Sequence, residues 1–274
     1  MKRKILTVIL LIAGIGVIGY PYLSNYLNQK NGTRAVDNYN QKVNAMSPEE
    51  IAAEWRKADI YNENLTGNPA HDPFIPGSGI VMPQNYYDVL NIKGTMGKVE
   101  IPAINVDLPI YHGTSEKILR KAVGHLEGST MPVGGAGTHS VLTGHTGLTN
   151  AKLFTDLVDV RKGDEFYLTV LGKTLAYQVD QIKVIEPKHT EELRTFKDRD
   201  YCTLMTCTPY GVNSHRLLVR GKRVPYVPEK KQKVKKTGLT AEQKALIRAA
   251  IITASIMLAL ILIVWLRNKR QEKE

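Results

Sequence analysis

Two stretches of the chain are apolar without interruption. Residues 5–23, ILTVILLIAGIGVIGYPYL, carry no charged side chain, and residues 247–266, IRAAIITASIMLALILIVWL, carry only Arg248. A bilayer core takes about 20 apolar residues as a helix, so each run is long enough to span one. Met1-Lys2-Arg3-Lys4 precedes the first run; Trp265 closes the second, and Arg267, Lys269 and Arg270 follow it. Basic flanks of this kind place both ends on the cytoplasmic side. Residues 1–24 read as an uncleaved signal anchor, because no small-x-small cleavage pattern precedes the polar stretch at Asn25; a cleaved signal peptide is the alternative. The polar middle, residues 33–228, is then one extracellular domain of ordinary size. A basic stalk (229–246), a transmembrane helix (247–266) and a basic tail (267–274) complete the chain.

Within the middle, the period changes from helical to strand-like. SPEEIAAEWRKADIYNENL starts with Ser47, has Pro48 at the first helical position and Glu50 three residues after the cap, a capping-box start. Ile51, Trp55, Ala58 and Ile60 then give an incomplete apolar stripe, predicting a helix that ends near Asn64. A loop rich in proline and glycine, TGNPAHDPFIPGSG (66–79), follows. Residues 33–79 are thus a helical region plus a loop, and residues 80–228 a separate β-rich unit. In that unit, strand-like runs lie at 98–113, 138–145, 164–187, 200–207 and 215–227, with Gly172-Lys173 as a tight hairpin. Short helical pieces fit SEKILRKAVG, NAKLFTDL and TEELRTF. No helix alternates regularly with strand, so the expected class is mainly β, a barrel decorated by short helices.

The formal net charge of +11 raises the question of nucleic acid. Much of it lies in KRK at the start, EKKQKVKK at 229–236 and RNKRQEKE at the end, where anionic lipid or cell-wall polymer accounts for it. No recognition motif accompanies the charge, and no nucleic-acid partner is expected. The two cysteines, Cys202 and Cys207, are five apart in one strand-like run. An odd separation sends their side chains to opposite faces, which argues against a disulfide between them. Without a histidine cluster they also make no structural zinc site, so no metal and no cofactor are expected. Cys202 reads as a packing residue.

Cys207 asks for more. It closes one strand, Arg216 opens the next, and the turn TPYGVNS between them can bring the two side by side. His145 closes an earlier strand. A cysteine nucleophile acts as its thiolate, needs an acid for the leaving amine and a donor for the oxyanion. Cys, His and Arg can fill those roles, although each alone has an ordinary structural reading.

TLMTCTPYG followed by HRLLVRGKR resembles the active-site motif of sortases, and LTGHTGL (142–148) resembles that family's histidine motif. The longer match TCTPYGVNSHRLLVRG, the C-terminal apolar run and AHDPF in the proline-rich loop are similar to class C, the pilin-polymerising sortases. The resemblance implies an eight-stranded barrel with Cys207 as nucleophile, His145 as acid and base, and Arg216 as substrate or oxyanion donor. It implies a substrate bearing an LPXTG-like sorting signal, with a pilin lysine as the accepting amine. It further implies a lid in which Asp72, Pro73 and Phe74 cover the cleft, Asp72 pairing with Arg216 and Phe74 lying over Cys207. Thr206 and Thr208, flanking the nucleophile, are candidates for shaping the substrate pocket.

Overall fold

The computed structural model describes residues 2–65, 74, 85–229, 251 and 255. The chain divides into two compact units, Met1–Lys231 and Gln232–Glu274, and among the described residues every strand belongs to the first.

The capping box forms as the sequence predicts. The Ser47 side chain accepts from the Glu50 backbone N–H, and the Ser47 N–H donates to Glu50 Oε2 at 2.8 Å. The resulting helix, α2 (Pro48–Asn64), ends where its pattern fades. The preceding helix is longer than the apolar run that begins it: α1 continues unbroken from Lys2 to Asn44. Its last turns bury Val36, Tyr39 and Val43. The Tyr39 hydroxyl donates to the Met96 carbonyl at 3.1 Å and accepts from Leu171 N–H at 2.7 Å. Burial pushes this phenol up to about 12, so it stays a neutral donor at any physiological pH. Among the described residues no helix is long and apolar enough to cross a membrane. The span expected at 247–266 lies outside the described residues apart from 251 and 255, as do nearly all of the stalk and the whole tail.

Eight strands form the rest of the unit: β1 (Thr95–Ile101), β2 (Val106–His112), β3 (Val123–His125), β4 (Thr138–Thr143), β5 (Glu165–Val170), β6 (Lys173–Ile185), β7 (Asp200–Thr208) and β8 (His215–Val224). They close into a barrel in the order β1-β2-β3-β4-β7-β8-β6-β5. β2 with β3 and β4 with β7 pair parallel, and the remaining pairs are antiparallel. Closure leaves no open edge. Pro102 begins a short helical turn that separates β1 from β2, so the run 98–113 is two strands. The β5–β6 turn falls at Leu171-Gly172, one residue earlier than expected, with φ of 46° and 78° at its two positions. Such values at both centres belong to the tight turn whose twist matches paired strands. The predicted helical piece SEKILRKAVG splits into a one-turn helix, α3 (Glu116–Leu119), and strand β3.

Strands β4 and β7 are buried on both faces. Leu142, Cys202 and Leu204 pack into the interior core, whereas Val141 and Met205 join Leu126, Ile185, Leu193 and Leu218 in a second apolar cluster. Two apolar faces explain why THSVLT and CTLMTC do not alternate cleanly.

Candidate active site

Cys207 is the penultimate residue of β7, and its register partner on β8 is Arg216. Residues directly opposite across an antiparallel pair share a face, so thiol and guanidinium stand side by side. Met205 and its partner Leu218 belong to the second apolar cluster, while Leu204 and its partner Val219 point inward. Alternation along β7 therefore sends Cys202 into the interior and Cys207 to the outer wall of the barrel. Neither cysteine forms a disulfide. Burial pushes the Cys202 thiol well above its ordinary value, with the Asp200 carboxylate adding to the effect. It stays un-ionised and packs, as the odd spacing predicts.

His145 reaches the same place from the other side. β4 runs parallel to β7, with Thr143 in register with Met205. The chain continues two residues from each, and the Gly144 N–H donates to the Met205 carbonyl at 3.1 Å. His145 and Cys207 thus emerge at the same end of adjacent strands. The turn that carries the histidine is held firmly. Thr206 Oγ1 donates to the Gly144 carbonyl at 2.7 Å, and Phe154 N–H donates to the His145 carbonyl at 3.1 Å. Gly144 is required here, because a Cβ would stand 2.8 Å from the Phe154 ring. Thr206 is buried and braces this turn, whereas Thr208 is half-buried at the strand end.

Arg216 is buried, at 4% exposure. One guanidinium nitrogen, Nη1, donates to the carbonyls of Asn213 at 3.0 Å and His215 at 3.1 Å. The turn between β7 and β8 therefore aims its own arginine. Phe74 lies across the site: its ring centroid is 4.8 Å from the Arg216 guanidinium carbon and 5.5 Å from the His145 ring centroid. Arg216 stands beside Cys207 on β8 and His145 beside it at the end of β4, so one aromatic ring bridges the two flanks of the thiol. Asp72 and Pro73 lie outside the described residues, and the expected Asp72–Arg216 pair with them. His215 does face away from Arg216, its Nδ1 2.9 Å from Ser214 Oγ.

One contact has no counterpart in the sequence pattern. Glu116, the first residue of α3, has Oε2 3.1 Å from His145 Nε2 and Oε1 2.6 Å from Arg120 Nε. The residues are 29 positions apart, and no periodicity connects them. The three-residue strand β3, which returns the chain from α3 to the barrel, is what brings them together, and its residues carry a helical pattern. Among the described residues, no group of three or more His, Cys, Asp or Glu is placed to hold a metal ion.

A family model for the sortase domain matches residues 99–224, nearly the whole span from β1 to the end of β8. Sortase C-1 of Actinomyces oris is 50% identical, with 64% of this chain and 99% of that one covered and a TM-score of 0.62. The chain belongs to the sortase family. Sortase C of Streptococcus pneumoniae, solved in work on catalysis and pilin substrate specificity, is 47% identical with a TM-score of 0.66, covering 70% of this sortase and 97% of its own chain. Sortase C1 of Streptococcus agalactiae is 46% identical with a TM-score of 0.66, covering 72% and 97%. Sortase A of Bacillus anthracis is more distant, 26% identical over 80% of this chain and 92% of its own. These solved relatives are of the sortase C type, and this sortase is a cysteine transpeptidase.

Proposed function

We propose that this sortase joins pilin subunits at the outer face of a membrane. It would cleave an LPXTG-like sorting signal between Thr and Gly and pass the acyl group to a pilin lysine. The observation that carries the reading is the position of Cys207 between His145 and Arg216, in a barrel whose solved relatives are sortases C. The thiolate attacks the threonine carbonyl carbon, and the charge that develops on its oxygen is met by the Arg216 guanidinium. Collapse breaks the C–N bond, His145 gives its proton to the departing glycine amine, and a thioacyl enzyme remains. The lysine amine then attacks the thioester and loses a proton to the imidazole. The C–S bond breaks, an isopeptide bond forms, and the thiolate is released beside the imidazolium, ready for another cycle.

Phe74 acts in this scheme as a lid. It must leave the His145 and Arg216 flanks before an extended peptide can lie along the outer wall. Covering the thiol also limits its oxidation outside the cell. The uncharged run at 5–23, the apolar run at 247–266 and their basic flanks support membrane attachment. The test mixes the detergent-solubilised chain with pilins carrying an LPXTG-like signal. A ladder of pilin multimers resistant to denaturation, lost in Cys207→Ala, supports pilin polymerisation. Signal cleavage without a ladder, with release only to water or to a peptidoglycan amine, supports anchoring to the cell wall instead.

A further inference from the structure

Glu116 has no part in the scheme above, yet its carboxylate touches the histidine on which the scheme depends. One oxygen is held by Arg120 Nε at 2.6 Å, one turn along, and the other is presented to His145 Nε2 at 3.1 Å. An ionised carboxylate can only accept hydrogen bonds, so Nε2 carries the hydrogen and the lone pair of the neutral ring is on Nδ1. We propose that Glu116 is a positioning residue for His145: it fixes the Nε2–H tautomer, leaves Nδ1 to exchange protons in the reaction, and stabilises the imidazolium. The inference rests on the reading of His145 as acid and base, and it adds the group that prepares the ring for that task.

The surroundings of the ring favour such a partner. Among the described residues, the charged and titratable groups placed around it are Glu116, with Arg120 behind it, from α3, Cys207 on β7, and Arg216 on β8 beyond Phe74. Arg120 first, and His145 second, hold the Glu116 carboxyl below the ordinary carboxylate range, so it is ionised whenever the ring is at work. Removing that carboxylate takes away the anion in contact with a protonated ring and leaves the Arg216 cation nearby. The active form of a Cys–His pair, thiolate with imidazolium, would be less populated. The effect is bounded by exposure, since the Glu116 side chain is 61% exposed and solvent screens the pair.

The test reads the thiol directly and needs no sorting signal. The rate of Cys207 alkylation by iodoacetamide is followed against pH for the full-length chain and for Glu116→Gln, with Cys202 buried and out of reach. At neutral pH, where an imidazolium beside the thiol raises its thiolate fraction, Glu116→Gln is expected to react about threefold more slowly, the size an exposed charge pair supports. At strongly alkaline pH, where the thiol ionises unaided, the two rates are expected to coincide. Thermal midpoints, read in parallel, are expected to match because the side chain is mostly solvated. An unchanged rate at neutral pH overturns the proposal, and so does an equal loss at every pH, which would mark a general disturbance of the site. Because no pilin takes part, this result is independent of whether pilins polymerise.

Discussion

Two buried histidines make the fold sensitive to acid in a window above that of the carboxylates. His139, on β4, has Nδ1 2.8 Å from the Arg194 carbonyl and Nε2 2.7 Å from Thr203 Oγ1. His125, on β3, has Nε2 2.9 Å from the Thr130 carbonyl and Nδ1 3.0 Å from the Tyr86 hydroxyl. In each neutral ring the N–H faces a carbonyl and the lone pair faces a hydroxyl, so one proton satisfies both sides. A second proton would place a charge in a site with no exposure to water. Burial accordingly lowers both rings to about 4. In the unfolded chain they titrate near 6.5, so it takes up protons first, and stability is full above that value and lost as pH falls toward 4. At about 1.36 kcal/mol per unit, each ring removes about 2 kcal/mol by pH 5 and about 3 kcal/mol once both states are protonated. Two rings together then approach the roughly 5–15 kcal/mol that holds a typical domain. The assay is urea unfolding of the solubilised chain at pH 7 and pH 5. A drop of about 4 kcal/mol is predicted, roughly halved in His139→Asn, whose amide can still donate to the Arg194 carbonyl. Equal unfolding midpoints at the two pH values would refute the reasoning.

The active site gives three more outcomes. Phe74→Ala removes a cation–π contact worth about 0.5–2 kcal/mol and is expected to speed Cys207 alkylation by about twofold to thirtyfold; no acceleration would mean that the ring does not cover the thiol. Gly144→Ala forces a Cβ against the Phe154 ring at 2.8 Å, an overpacking cost of about 1–3 kcal/mol; denaturant midpoint and kcat are both expected to fall as the His145 turn shifts. Arg216→Lys keeps the charge but loses the planar fork held by the Asn213 and His215 carbonyls. It is expected to lower kcat by about 100-fold or more, the scale of losing an oxyanion donor, measured as the rate of thioacyl formation.

Much of this architecture could be read from residue order, for physical reasons that differ by element. The α2 boundaries follow from a local hydrogen-bonded cap at Ser47, and the inside–outside placement of Cys202 and Cys207 follows from strand period alone. Cys207 and Arg216 are joined by a short turn, so their pairing is a local matter. The partners of His145 are not. Its position beside Cys207 depends on the parallel pairing of β4 with β7, and parallel pairing leaves no turn motif in the sequence. Glu116 depends on β3, three residues paired parallel to β2, too short to give an alternating pattern of its own. The continuation of α1 to Asn44 is not legible either, because NYLNQKNGTRAVDNYNQKVN is polar along most of its length. Its buried face is a narrow stripe of Val36, Tyr39 and Val43 at helical spacing, too sparse among polar neighbours to stand out, and tertiary contacts at those positions stabilise it.

In the proposed reaction Cys207, flanked by His145 and Arg216, carries an acyl group from threonine to an amine. The most direct measurement is intact-mass spectrometry of the full chain after brief mixing with an LPXTG-containing peptide, followed by addition of a lysine-bearing pilin fragment. The expected result is an acyl adduct that maps to Cys207, is absent in Cys207→Ala, and transfers to the lysine. An adduct on Cys202, no adduct at all, or an adduct that only water can discharge would contradict it.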